Sequence, residues 1–264
     1  FDELNPDLVF ILGDRSEALS ATISAYVQGR IIAHISGGEV TEGNYDDSFR
    51  HAITKMSYLH FTSTETYMKR VIQLGEHPER VFNVGALAIE AINKIKLKSK
   101  KEVEQFLEYK LFKTNFIVTF HPVTLENNSS QLYFNNLLKA LDFFNDTLII
   151  FTKPNSDKDG EVIRRSIDLY VSKNKNAISF ESMGQLNYFS TIKYVDVVIG
   201  NSSSGIIEVP ALKKPTVNIG DRQKGRIMNE STFNSGTSTE EIIKSIKEAL
   251  NYNFPKNWFH EYGN

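Results

Sequence analysis

The residues with the clearest chemical potential lie between Asp196 and Arg226. A short apolar run, Val197 to Ile199, breaks at Gly200, and the polar stretch Asn201-Ser202-Ser203-Ser204-Gly205 follows. An apolar-periodic segment carrying Glu208 comes next, then a second apolar run, Thr216 to Ile219, that breaks into Gly220-Asp221-Arg222. This reads as strand, tight loop, helix and next strand. Such a loop presents backbone N–H groups and serine hydroxyls at a helix N-terminus, where the dipole favours an anion. Glu208, about one turn further on, is placed to accept hydrogen bonds from sugar hydroxyls, and Arg222 is placed to close over the same crevice. An ordinary Ser/Gly turn with a capping serine would look similar. The serines, the glutamate and the arginine together favour a nucleoside-diphosphate site.

Other polar residues fall just after strand-like runs, where ligands of parallel sheets bind. They are Asp14 and Arg15; His34, Ser36 and Glu39; His121; Asn155 and Asp157; Ser202 to Ser204; and Arg222. Singly, Asp14 is a helix cap and His34 or His121 a hydrogen-bonded core histidine; their common edge argues for a site. A second cluster pairs Asp46 with Arg50 and Asp47 with His51 at helical spacing. Its bland reading is two surface ion pairs, each contributing under ~1 kcal/mol. The sequence holds no His-x-His or His-Glu-x-x-His spacing, no Walker A loop, no GxGxxG and no Gly-x-Ser-x-Gly elbow. No metal and no cofactor is therefore expected.

The elements that must position these residues alternate along the chain. Strand-like runs at Leu8–Leu12, 30–35, 58–62 and 80–84 are separated by helical segments at 18–27, 46–57 and 64–75. A charged stretch, 93–113, holds many of the lysines and is the candidate linker and first helix of a second unit. Strands then recur at 116–120, 147–151, 177–180, 197–199 and 216–219, with helices at 131–144, 160–173, 184–194 and 239–251. Ser238 and Glu241 form the pattern of a capping box before the last helix. The rhythm predicts parallel sheets with helices on both faces, in two Rossmann-like domains at 1–95 (incomplete) and 96–264.

The composition bounds the function. The 264 residues are 41% apolar and 23% charged, with a net charge of -2, so neither nucleic acid nor an anionic membrane is an expected partner. The absence of cysteine excludes disulfides, thiolate catalysis and cysteine-ligated zinc, and fits a cytoplasmic protein. No apolar run approaches the roughly 20 residues of a membrane span. The start, Phe1 to Pro6, reads as the end of a helix entering the first strand, and a preceding segment is expected.

Together the motifs resemble one family, the hydrolysing UDP-N-acetylglucosamine 2-epimerases of the sialic-acid type. The matching segments are LGDRSE (12–17), HISGGE (34–39), DDSFRHAITKMSYLHF (46–61), VIQLGE (71–76), FHPVT (120–124), GNSSSGIIEVP (200–210) and NIGDRQKGR (218–226). The resemblance implies a GT-B-like architecture, two Rossmann-like domains facing a central cleft, in members that are longer at both ends. It implies a nucleotide-sugar substrate and a homodimer or higher homo-oligomer. The implied reaction removes the proton at carbon 2 of the N-acetylglucosamine ring as UDP departs, giving a glycal. Water then adds and N-acetylmannosamine is released, feeding sialic-acid-type sugar biosynthesis.

Carried over by motif, Asp14 and Asp46 are acid/base residues, His121 is the histidine near the leaving group and Arg50 holds the sugar side. Ser202 and Ser203 bind the diphosphate, Glu208 the ribose, Arg222 stands on the phosphate side, and Arg15 is counted among the UDP-binding residues. Asn155 and Asp157 lie in a loop reaching toward the nucleotide, and the uracil sits near Phe180 to Met183. Many relatives carry a catalytic Glu where this chain has Ser36, so Glu39 or Asp46 takes that part, or the sugar differs. The alternatives are the same chemistry on a UDP-2,4-diacetamido-trideoxyhexose of a legionaminic-type pathway, a non-hydrolysing epimerase or GT-B glycosyltransferase, and a non-catalytic UDP-sugar-binding protein.

Overall fold

The structure, a computed structural model, describes residues 3–40, 46–122, 129–154 and 158–263, the side chains of Lys158 and Asp159 excepted. It divides into two compact units. The first comprises Phe1–Glu90 with Lys224–Arg226 and Glu261–Asn264, and the second Ala91–Gln223 with Ile227–His260.

The first unit runs β1 (Leu8–Leu12), α1 (Ser16–Val27), β2 (Ile31–Ile35), α2 (Asp46–Met56), β3 (Leu59–Thr62), α3 (Glu65–Gln73), β4 (Val81–Asn83) and α4 (Leu87–Lys94). The unit boundary falls within α4, a helix that the sequence reading passed over. The strands are all parallel in the order β1-β2-β3-β4. Ile11, Ala25, Ile32 and Ile53 form a buried cluster in which α1 and α2 meet the sheet. Thr64 caps α3 by accepting the Tyr67 N–H, so the chain turns from β3 into helix within two residues.

The second unit continues with α5 (Lys100–Leu107), β5 (Thr114–Thr119), α6 (Ser129–Leu141), β6 (Thr147–Thr152), α7 (Lys158–Lys173), β7 (Ala177–Phe180), α8 (Gly184–Ile192), β8 (Val197–Gly200), α9 (Ser204–Ile207), β9 (Thr216–Ile219), β10 (Thr232–Ser235) and α10 (Thr239–Leu250). Its sheet is also parallel, in the order β10-β9-β8-β5-β6-β7. Both faces are covered, which is why β5, β6 and β8 are near-continuous apolar runs instead of alternating ones. Helices α6, α7 and α10 bury Phe134, Leu137, Ile163, Ile167, Ile242 and Ile246 against Phe116, Val118, Ile149, Phe151, Ile199 and Val217. Phe134 lies between Phe120 and Phe151 at ring separations of 5.6 and 6.5 Å. Burying such a ring stabilises the unit by about 2–3 kcal/mol. The capping box expected at Ser238 and Glu241 is formed.

The strand order reverses between β5 and β8. From β5 the chain proceeds outward through β6 and β7, returns to β8 on the other side, and continues to β9 and β10. Strands β5 and β8 are thus the neighbours at which the direction of winding changes, and the carboxyl ends of such a pair are where these sheets bind ligands.

Candidate active site

At this switch point the loop after β8 is held against the end of β5. Gly200 has φ +139°, and its neighbour Asn201 donates its backbone N–H to the Thr119 carbonyl at 3.2 Å. The Asn201 side chain, 1% exposed, accepts the His121 N–H through Oδ1 at 2.7 Å and donates from Nδ2 to the His121 carbonyl at 2.8 Å. The Asn201 carbonyl accepts Arg222 Nη1 at 2.9 Å and Gln223 Nε2 at 2.8 Å. His121, the serine loop and Arg222 are thus joined through one residue.

The serine loop behaves differently from the expected helix N-terminus. The helix α9 is a single turn, Ser204–Ile207, and Ser203 precedes it without a side-chain cap. So short a helix has little macrodipole, which leaves individual N–H and O–H donors as what this loop offers a ligand. The Ser204 N–H is taken by Ser202 Oγ at 3.4 Å, whereas the N–H groups of Ser202 and Ser203 carry no intramolecular hydrogen bond among the described residues.

A cleft of about 440 Å³ opens beside this loop. Thr119 and Thr152 line it from the ends of β5 and β6, Met183 and Tyr188 from α8 and its N-cap, and Ser202, Ser204 and Glu208 from the loop and helix after β8. That volume suits a nucleotide-sized ligand. The Thr119 and Thr152 hydroxyls meet at 2.5 Å, and Tyr188 donates its hydroxyl to Ser204 Oγ at 3.1 Å. Burial raises the Tyr188 phenol to about 12, so it stays a donor at neutral pH. Glu181, on the cleft wall, is braced by Lys153 at 2.8 Å and by Arg164, which also donates to the Pro154 carbonyl.

In the first unit the cluster on α2 is not a pair of surface ion pairs. Arg50 is 2% exposed, and its guanidinium is bonded to Asp14, to Asp47 Oδ1 at 2.7 Å and to the Glu39 carbonyl at 2.7 Å. A planar fork with five donors suits such divergent acceptors. Asp47 also approaches His51 Nε2 at 3.5 Å, and Asp46 opens α2 half-buried. Glu39 is committed at both oxygens, to Ser63 Oγ at 3.0 Å and to Arg226 Nη1 at 3.3 Å. His34 is fully buried, with Nε2 2.9 Å from the Gly13 carbonyl and Nδ1 3.0 Å from Thr54 Oγ1. A carbonyl only accepts, so Nε2 carries the proton, and Nδ1 faces a Thr54 hydroxyl that also lies 3.0 Å from the Arg50 carbonyl as a donor. Burial lowers this imidazole to about 4, in keeping with a neutral ring. Ser36 directly follows β2 with φ +67°, its N–H on the Phe61 carbonyl at 2.9 Å.

The expected residues sort as follows. Ser202, Glu208 and Met183 share the cleft of the second unit, with Ser203 in the same loop and His121 and Arg222 tied to it through Asn201. Asp14 and Arg50 are bonded together in the first unit, and Glu39 lends Arg50 its carbonyl. Arg15 turns instead to Glu17 on α1, at 3.2 Å and largely exposed. Asn155 and Asp157 lie outside the described residues. The sequence reading missed Asn201, Gln223, Tyr188, Thr119 and Thr152 as site-forming residues; of these only Asn201, polar and directly after a strand-ending glycine, carried a local signal.

The sequence profile described as UDP-N-acetylglucosamine 2-epimerase matches residues 1–264. The chain belongs to that family. A Campylobacter jejuni protein named GDP/UDP-N,N'-diacetylbacillosamine 2-epimerase (hydrolyzing) is 45% identical over 236 residues, 89% of this chain and 62% of its own length. The polysialic acid biosynthesis protein P7 of Escherichia coli is 44% identical over 250 residues, 94% of this chain and 63% of that protein. The chain thus spans less than two thirds of either relative. Among solved structures, the Neisseria meningitidis UDP-GlcNAc 2-epimerase bound to UDP-GlcNAc superposes with a TM-score of 0.81 at 19% identity, over 95% of this chain and 70% of that one. This likeness shows the fold, and the expected GT-B-like α/β architecture of two parallel-sheet units is borne out. Among the described residues, no helix is long and apolar enough to cross a membrane.

Proposed function

We propose that this epimerase-family protein hydrolyses a UDP-linked 2-acetamido sugar with inversion at carbon 2, releasing UDP and the 2-epimeric free sugar. The observation that carries the reading is the second unit's cleft at the β5/β8 switch point, where Ser202, Ser204, Glu208 and Tyr188 converge beside the Ser202 and Ser203 N–H groups, which carry no hydrogen bond among the described residues. Ser202 and Ser203 with Arg222 receive the diphosphate, Glu208 accepts from the ribose hydroxyls, and Met183 flanks the base. His121 serves the departing UDP. In the elimination the carbon 2 proton passes to a carboxylate while the C1–O bond to UDP breaks, leaving a glycal. Water then adds across the double bond, its oxygen to carbon 1 and a proton to the opposite face of carbon 2.

Asp14 and Asp46 take the proton transfers in this reading. Glu39, whose carboxylate also bonds Ser63 and Arg226, stands beside Asp46 as the alternative for the part that Ser36 cannot play. Arg50 holds Asp14 in one orientation for that work. The first substrate proposed is UDP-N-acetylglucosamine, giving N-acetylmannosamine for sialic-acid-type synthesis. The 45% identical Campylobacter jejuni relative favours a second reading, the same chemistry on a UDP-2,4-diacetamido-trideoxyhexose. A homodimer or higher homo-oligomer is proposed for the whole protein.

The test is to incubate the whole protein with each nucleotide sugar in deuterated water and to read products by proton NMR. Free sugar deuterated at carbon 2 beside UDP is expected from one of them. An intact epimerised nucleotide sugar would replace the hydrolysing reading, and binding of UDP without turnover of either substrate would refute catalysis.

A further inference from the structure

We infer that Asn201 is a positioning residue for the proposed reaction, one that sets the backbone of His121 relative to the serine loop; this rests on the reading of His121 as the group that serves the leaving UDP. Asn201 touches no ligand space itself, being 1% exposed and absent from the cleft lining. Its carboxamide instead spends both polar atoms on one residue, accepting the His121 N–H at 2.7 Å and donating to the His121 carbonyl at 2.8 Å. The orientation is unambiguous, because an N–H can only meet Oδ1 and a carbonyl can only meet Nδ2.

This double bond fixes the chain just after β5 in both translation and twist, where a single bond would leave it free to pivot. The carboxamide is in turn fixed by its own backbone, whose N–H bonds Thr119 and whose carbonyl receives Arg222 and Gln223. The side chain therefore governs His121, while the main chain governs the residues on the diphosphate side. No other side chain of this length offers one acceptor and one donor in the same fork. Gln adds a methylene, Ala offers neither atom, and ionised Asp sets an oxygen against the His121 carbonyl. Protonated Asp, however, is isosteric with Asn and restores the donor. Its pKa would be raised by burial against that carbonyl.

The test compares Asn201→Ala, Asn201→Asp and His121→Ala in the whole protein, after denaturant melts have established which are folded. Turnover of the UDP-sugar that the wild type hydrolyses is followed from pH 5.5 to 8, and UDP affinity is measured by calorimetry. Both Asn201 variants are expected to lose kcat roughly tenfold or more at pH 8, since misplacing a reacting group by about 1 Å can cost a hundredfold. UDP affinity is expected to stay within about threefold, because Arg222 and the serine loop are held by the main chain. For Asn201→Asp the ratio of kcat to wild type is expected to climb as pH falls, which a merely structural defect would not produce. A folded Asn201→Ala with wild-type kcat beside an inactive His121→Ala would overturn the inference while leaving the catalytic reading intact. An Asn201→Asp ratio independent of pH would also overturn it. Wild-type turnover by His121→Ala would remove the catalytic reading of that histidine and the inference with it.

Discussion

A Cβ on residue 200 would stand 1.9 Å from the Thr119 carbonyl oxygen, so β8 meets the end of β5 through a hydrogen atom. The contact is backbone to backbone and cannot be relieved by a rotamer change. With φ at +139°, the position is also closed to L side chains on conformational grounds.

Gly200→Ala is therefore expected to destabilise the second unit by on the order of 3 kcal/mol or more, combining a collision with an unfavourable backbone. Gly29→Ala is the matched control, since Gly29 has φ +69° but nothing within 4 Å of its would-be Cβ. That change should cost only about 1 kcal/mol. Urea denaturation of both variants measures the difference, and equal losses would mean that the close approach of β8 to β5 contributes nothing.

Arg50 is buried among acceptors from three segments. Replacing it with Leu removes the cation but leaves two carboxylates, Asp14 and Asp47, close together. A loss of about 3–5 kcal/mol is expected. Asp14→Asn, which keeps an oxygen for the guanidinium, should cost much less stability while abolishing turnover. Denaturant melts and the product assay read the two effects separately.

His34 makes the first unit acid-sensitive. Its folded pKa, lowered by burial to about 4, lies below the ordinary value of 6.5. The fold thus favours the neutral ring, and the unfolded chain binds the extra proton between these limits. Stability from this group is complete above pH 6.5 and is lost as pH falls toward 4, by about 3 kcal/mol at pH 4. Guanidinium melts across this window should show the slope, and His34→Gln should flatten it. An unchanged slope would place the acid sensitivity elsewhere.

Tyr188→Phe deletes the hydroxyl that donates to Ser204 on the cleft wall. With one hydrogen bond worth about 1 kcal/mol, UDP affinity should fall roughly three- to tenfold while the melting midpoint barely moves. Titration calorimetry with UDP gives the number. Undiminished affinity would mean that the Tyr188–Ser204 wall of the cleft does not hold UDP.

Much of the molecule was legible in the chain itself. A buried parallel strand is apolar on both faces and ends in a polar loop, so β9 was read from Thr216–Ile219 with its observed ends. Strands β1 and β7, at sheet edges and only partly buried, were read from the apolar runs Leu8–Leu12 and Ala177–Phe180 with their observed ends too. The same rule marked Asp14, His121, Ser202 and Arg222, because every strand of a parallel sheet delivers its following loop to one edge. Strand β10, Thr-Phe-Asn-Ser, escaped because its single apolar residue makes no run. Tertiary structure alone decided which of the marked residues meet. Asn201 and His121 are 80 positions apart and Arg50 and Asp14 36 apart, and no local spacing encodes either bond. Those pairings arise from the strand order, which brings β8 beside β5 and β1 beside β2, and that order follows from how the helices cover the sheets. Periodicity records whether a residue is buried; what it is buried against is settled only when distant strands pair.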